Sequence, residues 1–176
     1  MKQKNNWYAV SGVASSGKTT IIKLLEKKGY NVVHESATEF VTQQFAKGYT
    51  IDQIRKNQGR FQEVILQLKL FYEDLLNPDE ITFIDRGMPD TVAFYKLYNL
   101  DMPEYMKKAI EEASYKKVFL FERLPLIQED FRPEPEEEIA QMHEHNKKAY
   151  EELGHTIVHV PVMPVEKRLQ FILDNL

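Results

Sequence analysis

Short apolar segments alternate with longer amphipathic segments along the chain. The apolar segments end at a glycine, a proline or a charged residue, and this pattern predicts five β-strands, at 7–12, 30–34, 81–85, 116–122 and 155–160. Helical periodicity occupies the intervals between them. Such alternation predicts an α/β fold, with a five-stranded parallel sheet covered by helices on both faces. The carboxyl ends of the strands should then meet at one edge, where ligands bind.

The helices are predicted from apolar residues that recur every three or four positions. The first ends at Gly29, a second continues to about Lys47, two more cover 90–99 and 103–114, and another follows the acidic segment 123–138. The longest carries an apolar stripe that we predict to face the core: Phe61, Val64, Ile65, Leu68, Phe71, Tyr72, Leu75 and Leu76. The closing helix is made amphipathic by Val165, Leu169, Ile172 and Leu176.

Composition narrows the class of protein. The 176 residues suit one domain, 1–176, and the 43% hydrophobic and 28% charged fractions are typical of globular proteins. There is no cysteine, which excludes a thiol nucleophile and fits a reducing compartment. No apolar run approaches a membrane span and the N-terminus lacks a signal-peptide core, so we expect a cytoplasmic protein. The net charge of −4, without a basic block, argues against general nucleic-acid binding.

The segment GVASSGKTT, residues 12–20, contains the Walker A pattern of a phosphate-binding loop. It follows a predicted strand and opens a predicted helix, as the chemistry requires. Backbone N–H groups and the helix N-terminus can then surround phosphate oxygens. Lys18 would reach the β- and γ-phosphates, and the Thr19 hydroxyl would bind Mg²⁺. The predicted nucleotide-binding residues are Gly12, Ala14, Ser15, Ser16, Gly17, Lys18, Thr19 and Thr20.

Several classes of P-loop protein are compatible with this motif. A GTPase switch would carry an Asn-Lys-x-Asp motif, and the nearest string, NKKA at 146–149, lacks the Asp. A mechanical ATPase requires a larger core and a helical lid domain. A small-molecule kinase fits best, and a regulatory ATPase or GTPase module acting through a protein partner is the alternative. A His-dependent metal hydrolase is disfavoured, because His143 and His145 cannot face one site on a helix.

The kinase hypothesis assigns roles to charged residues near the strand ends. Glu35 follows the second strand and could accept the proton of an acceptor hydroxyl. Asp85 ends the third strand and should face Mg²⁺, although either acid could be the acceptor-side base. Arg86 could contact phosphate or substrate, or pair with Asp85 or Asp90. In a lid segment at about 123–138, Arg123 and Arg132 could clamp the transferring phosphoryl group, while surface ion pairing remains open for one of them.

The order of these motifs resembles a known family. It is carried by SGVASSGKTTIIKLLEKKGYNVVHESATEF, FIDRGMPDTVAFYKL, YKKVFLFERLP with EDFR, and YEELGHTIVHVPVMPVEKRLQFIL. The chain is similar to the small P-loop ATPase and kinase family that includes the ribosylnicotinamide kinase domains of bacterial NAD-regulating proteins. More distantly, it resembles deoxynucleoside and thymidylate kinases.

The resemblance implies a nucleoside-kinase-like P-loop fold, with ATP and Mg²⁺ as cofactors and a nucleoside-like acceptor. It places Glu35 on the acceptor side, Arg86 at substrate or phosphate, and Arg123 and Arg132 on the lid. One departure is Thr38, where members commonly carry an Arg, so a neutral or differently charged acceptor is conceivable. A homodimer is one assembly compatible with the resemblance. The residues that could line the acceptor cleft are Gln58, Arg60, Phe61, Gln62 and Tyr95.

Overall fold

A computed structural model describes residues 5–124 and 136–176. Five strands form one parallel sheet in the order β2-β3-β1-β4-β5. The predicted fold class is therefore confirmed, with strand ends that differ from the prediction by one or two residues. The strands are β1 (Trp7–Ser11), β2 (Asn31–Val33), β3 (Thr82–Asp85), β4 (Lys117–Phe121) and β5 (Ile157–Val160).

Helices connect and flank the strands. The segment after β2 contains three helices where two were predicted, because a capping box at Thr50 and a cap at Asn57 start separate helices. No helix in the described part of the chain is long and apolar enough to cross a membrane. The helices are α1 (Lys18–Lys27), α2 (Ser36–Ala46), α3 (Ile51–Arg55), α4 (Gln58–Asp74), α5 (Asp90–Leu97), α6 (Glu104–Glu112), α7 (Glu136–Glu152) and α8 (Val165–Asp174).

The sheet has a hydrophobic core on each face, because successive strand residues point to opposite sides. On one face, Tyr8 and Val10 of β1 pack with Ile22 of α1 and Ile172 of α8. On the other face, Ala9 packs with residues of α4, α5, α6 and α7. The closing helix therefore lies beside α1, the helix that begins at the phosphate loop.

Helix α4 corrects one prediction. Phe71 and Leu75, expected in the core, are 59% and 67% exposed. Its buried face instead includes the polar residues Gln62, Lys69 and Glu73. Phe61 and Ile65 of the predicted stripe are buried as expected. This helix therefore turns polar side chains toward the carboxyl edge of the sheet.

The sheet order places the phosphate loop at a point where the chain changes direction. β1 leads through α1 to β2 on one side, whereas β3 leads through α5 and α6 to β4 on the other. The loops that leave β1 and β3 therefore diverge and open a crevice between neighbouring strands. The phosphate loop and the segment from Asp85 to Asp90 border that crevice.

Candidate active site

The phosphate loop joins β1 to α1. Gly12 lies against Phe121 at the end of β4, and Gly17 takes a left-handed φ of +89° just before α1. Ser16 is buried, whereas the remaining predicted nucleotide-binding side chains point outward or begin the helix. Ala14, Ser15, Thr19 and Thr20 are exposed. The loop thus leaves its outer surface and the α1 N-terminus open to an anion.

Lys18 lies folded into this loop. Its ammonium donates to the Val13 carbonyl at 2.6 Å and to the Ser16 hydroxyl at 3.2 Å. Burial, together with the nearby Arg86 guanidinium, lowers the pKa of Lys18 to about 7, against the opposing effect of Asp85. The lowered pKa shows that burying the charged ammonium costs free energy. An anion bound beside the loop would offset that cost with its negative charge.

Asp85 lies at the end of β3, paired in register with Val10 of β1. Its carboxylate is 4% exposed, and its Oδ1 has no hydrogen-bond partner among the described residues. Burial raises the pKa of Asp85 to about 6, although Lys18 acts in the opposite direction. A buried carboxylate oxygen without a donor, at the base of a phosphate loop, fits a site for a hard cation such as Mg²⁺.

The described residues contain no cluster of three or more His, Cys, Asp or Glu side chains that could hold a metal by themselves. A Mg²⁺ ion here would therefore depend on Thr19, Asp85, water and phosphate oxygens. That ligand set is the usual one for Mg²⁺, which keeps several waters and binds through one or two carboxylates.

Arg86 pairs with carboxylates from two elements, at the end of the segment after β2 and at the start of α5. Its Nε donates to Glu35 Oε1 at 2.6 Å and its Nη1 lies 3.5 Å from Asp90 Oδ1. Burial alone would lower the pKa of Arg86, but Glu35, Asp90 and Asp85 raise it above its ordinary value. Of the predicted alternatives, the pairing with Asp90 is present and Glu35 is an additional partner. The guanidinium is therefore fixed in place and permanently charged.

Glu35 is held from both sides. Its Oε1 accepts from Arg86, and its Oε2 accepts from the Thr38 hydroxyl at 2.7 Å. Burial would raise the pKa of this carboxyl, but Arg86 and the Thr38 hydrogen bond lower it to about 2. A carboxylate with such a pKa binds a proton weakly. Its geometry suits orientation of a hydroxyl better than strong proton abstraction.

The loop that carries Arg86 is held by buried polar groups beneath it. Arg86 itself has a left-handed φ of +66°, which is costly for a residue with a side chain. Lys69 Nζ donates to the Gly87 carbonyl at 2.9 Å, and the Met88 N–H donates to the Tyr115 hydroxyl at 2.8 Å. A Cβ on Gly87 would lie 2.8 Å from Tyr115, so only glycine fits there. These contacts hold Arg86 in its strained conformation.

Asp90 joins three elements at the start of α5. Its Oδ1 accepts from the Ser11 hydroxyl at 2.7 Å, and its Oδ2 accepts from the Tyr150 hydroxyl of α7 at 2.5 Å. Because it also pairs with Arg86, this fully buried carboxylate links β1, α7 and the Arg86 loop. The sequence indicated the start of a helix and a pairing with Arg86 at this position, but not the contacts with Ser11 and Tyr150.

Glu73 provides a pH-dependent test of the groups beneath the loop. It accepts from the Tyr115 hydroxyl at 2.7 Å, and burial raises its pKa to about 7. In the unfolded chain the group loses its proton at about pH 4.5, so the native state holds more protons between these values and stability falls as pH rises through them. The Gln side chain does not titrate, so Glu73→Gln lacks this fall in stability. Relative to the wild-type chain, its free energy of unfolding should therefore rise by about 1–3 kcal/mol between about pH 5 and about pH 8, measured by urea unfolding.

The matched control is Asp74→Asn, the exposed neighbour on the same helix. This variant should keep the wild-type dependence of unfolding free energy on pH. Parallel pH profiles for Glu73→Gln and the wild-type chain would contradict a raised pKa at Glu73.

A cavity of about 490 Å³ begins at the phosphate loop and extends between α2, α4, α5 and α7. Lys18, Glu35 and Arg86 border it where it meets the loop. Of the five predicted cleft residues, Gln58, Phe61 and Gln62 line it. Arg60 instead borders a separate surface cleft between α2, α3 and α4, and Tyr95 packs in the core. The structure thus brings the phosphate loop, Glu35 and Arg86 to one cavity.

A family model for an AAA domain matches residues 7–168 of the sequence. The chain belongs to this AAA domain family. No curated protein matches the sequence. The match spans the phosphate loop, the Arg86 loop and the first four residues of α8.

Solved structures similar to this AAA domain include nucleoside and nucleotide kinases and a NadR protein. The NadR protein in complex with NAD and AMP-PNP has a TM-score of 0.69 at 19% identity, with 97% of this chain and 48% of that chain covered. The chain thus spans about half the length of that protein. Deoxyadenosine kinase from M. mycoides with bound dCTP has a TM-score of 0.68 at 18% identity, with coverage of 96% and 97%. Thymidylate kinase from Ehrlichia chaffeensis has a TM-score of 0.66 at 12% identity, with 98% of each chain covered. These likenesses establish the nucleoside-kinase-like fold.

Several cavity residues of the AAA domain were not predicted from the sequence. Arg55 of α3 lies 5.4 Å from the centre of the Phe61 ring, and Arg86 lies 5.9 Å from that of Phe94. Arg55 is thus a cation in the cavity that the sequence did not predict. The unpredicted lining also includes Val41, Thr42, Phe45, Lys69, Leu97, Ile139 and Met142. Their one sequence signal was helical periodicity, which is also that of core residues.

Neither of the two predicted lid arginines is seen at the cavity among the described residues. Arg123 follows β4, the strand that flanks β1 on the side away from β3, and it does not line the cavity. Arg132, like most of the predicted lid at 123–138, lies outside the described residues. The structure therefore does not test a clamp formed by these arginines.

Proposed function

We propose that this AAA domain is a kinase that transfers a phosphoryl group from ATP, with Mg²⁺, to a small nucleoside-like acceptor. One observation carries the proposal: the cavity is continuous with the phosphate loop, and Glu35 and Arg86 lie at the junction. A kinase needs such a second compartment for its acceptor. A nucleotide-dependent switch needs only the phosphate loop and its partner surface.

The shape and chemistry of the cavity favour a flat acceptor with polar edges. Phe61 and Phe94 contribute aromatic walls, and aromatic rings favour stacking with other planar groups. Gln62 also lines the cavity and is 3% exposed, so its amide can hydrogen-bond a base. The volume of about 490 Å³ is within the usual range for small-molecule sites. The structural likeness to deoxyadenosine and thymidylate kinases supports the same acceptor class.

The phosphate side is assigned from the loop. We propose that the loop amides and Lys18 bind the triphosphate, and that Thr19 and Asp85 hold Mg²⁺. When bound, the metal supplies positive charge that offsets charge on the transferring phosphoryl group. Arg123 and Arg132 remain proposed clamps for the same charge. The similarity to a structure that contains AMP-PNP supports an adenine nucleotide here.

Glu35 is proposed to orient the acceptor hydroxyl. It stays ionised because Arg86 and Thr38 keep its pKa at about 2, and it lines the cavity together with residues of the phosphate loop. Phosphoryl transfer through a loose transition state requires positioning more than early proton removal. A carboxylate that aligns the hydroxyl with the phosphorus therefore meets the requirement of the reaction.

Glu35→Gln should lower phosphoryl transfer by about 10²-fold or more while nucleotide binding changes little. The amide keeps the size of the side chain but loses the charge that pairs with Arg86 and accepts from the acceptor. The measurement combines steady-state transfer with ADP affinity from titration calorimetry. Glu39→Gln, one turn further along α2, is the control, since Glu39 instead accepts from Tyr72 outside the cavity. A wild-type transfer rate in Glu35→Gln would show that Glu35 takes no part in the reaction.

A panel of acceptors tests the function itself. ATP consumption is measured alone and with nucleosides, nucleotides and nicotinamide riboside. Stimulation by one acceptor, with a phosphorylated product detected by mass spectrometry, is the expected result. Tight ATP binding with no stimulation by any of them would favour the regulatory module instead.

A further inference from the structure

Arg168 of α8 contacts the backbone of the phosphate loop. The side chain is 3% exposed, and its Nη1 donates to the Ser16 carbonyl oxygen at 2.8 Å. Its guanidinium also lies 5.3 Å from the centre of the Phe121 ring. A residue near the C-terminus is thereby bound to a loop 152 positions earlier in the chain.

The contact between Arg168 and the Ser16 carbonyl also sets the direction of the Gly17 N–H group, because one peptide bond contains both groups. The described chain contains no cis peptide, so the Ser16 carbonyl and the Gly17 N–H point in opposite directions. Because Arg168 holds the carbonyl toward α8, the Gly17 N–H is directed away from α8. Gly17 is the residue directly before α1, where backbone N–H groups of a phosphate loop meet the ligand.

The surroundings of Arg168 argue against a purely structural purpose. Its Nε and Nη2 have no hydrogen-bond partner in the described part of the chain, although both are buried. Leaving buried donors unpaired is costly, and a Met of similar length would fill the same space without that cost. A Cβ on Gly17 would lie 2.8 Å from Nη1, so the guanidinium lies directly against the loop backbone. The cation is placed where a negatively charged ligand of the loop would compensate it.

We propose that Arg168 is a positioning residue for the phosphate site. It fixes the Ser16–Gly17 peptide so that the Gly17 N–H donates to a phosphate oxygen, and its charge strengthens that donor by polarising the peptide. This inference rests on the proposed nucleotide site and extends it to a helix outside the motif. Arg168 acts through the peptide and does not touch the nucleotide.

The test compares Arg168→Met with Lys167→Met, which removes the same charge from the exposed neighbour on α8. The probes are ADP and inorganic tripolyphosphate, which contains only the phosphate portion of the nucleotide. We expect Arg168→Met to weaken both ligands by about tenfold or more, and by similar factors, while Lys167→Met keeps wild-type affinity. Circular dichroism and the melting temperature report whether each variant is folded.

A folded Arg168→Met chain that binds both ligands within twofold of Lys167→Met would overturn the inference. NMR of the wild-type chain decides the question without any variant that folds poorly. During an ADP titration, the Gly17 amide and the Arg168 Nε–H resonances should shift together. A shift of Gly17 without Arg168 would also overturn it. A wild-type chain that binds neither ligand would overturn both this inference and the proposed function.

Discussion

Lys18→Ala is expected to lower phosphoryl transfer by about 10³-fold or more without lowering the stability of the fold. The ammonium is the charged side chain folded into the phosphate loop, and stabilisation of developing charge in a site of this kind is worth about 10²–10³ per donor. Its burial lowers its pKa to about 7, so holding the charge there costs folding free energy. Removing the ammonium removes that cost together with the hydrogen bond to Val13.

The measurements are steady-state transfer with the best acceptor and the melting temperature without ligand. Lys23→Ala is the matched control, since Lys23 is exposed on the same helix. It should keep wild-type activity. Transfer by Lys18→Ala at more than about a tenth of the wild-type rate would contradict the assignment of the phosphate site.

Asp90→Ala should be the most destabilising substitution near the site, at about 3–5 kcal/mol. It leaves three buried donors without their acceptor: the Ser11 hydroxyl, the Tyr150 hydroxyl and one edge of the Arg86 guanidinium. For a chain of this size the melting temperature should fall by about 6–20 °C. Urea unfolding gives the free energy directly.

Asp101→Ala, an exposed Asp in the loop before α6, is the control and should change stability by less than about 0.5 kcal/mol. A double-mutant cycle with Tyr150→Phe isolates the contact to α7. The two effects should be non-additive because both variants remove the same hydrogen bond. Additive effects, or an Asp90→Ala chain as stable as the control, would show that Asp90 does not join these elements.

The strands and the phosphate loop were predictable because each depends on neighbouring residues. β1 and β4 are short apolar runs of the kind that forms strands covered on both faces, and the Walker A spacing specifies a turn that only a few residue types allow. Asp85 and Arg86 were recognised for a related reason. Charges directly after a buried strand must lie at the sheet edge, where ligands bind.

Helix α4 shows where this reasoning failed. The apolar stripe predicted a buried Phe71 and Leu75, yet Lys69 and Glu73 are buried instead. A buried Lys or Glu requires partners, and here the partners are Gly87 and Tyr115, which lie 18 and 42 positions away. Periodicity in one segment contains no information about such distant partners.

The sequence by itself determined the five strands, the phosphate loop and the charged residues near the ends of β2 and β3, because local spacing and side-chain chemistry specify them. Only the tertiary structure decided that Arg86 pairs with Glu35, that Asp90 joins β1 to α7, and that Arg168 donates to the phosphate loop. These contacts span up to 152 positions, and they exist because parallel crossovers bring the carboxyl ends of β1, β2 and β3 to one edge. Their geometry depends on how the helices pack over that edge, which no short segment of the sequence encodes.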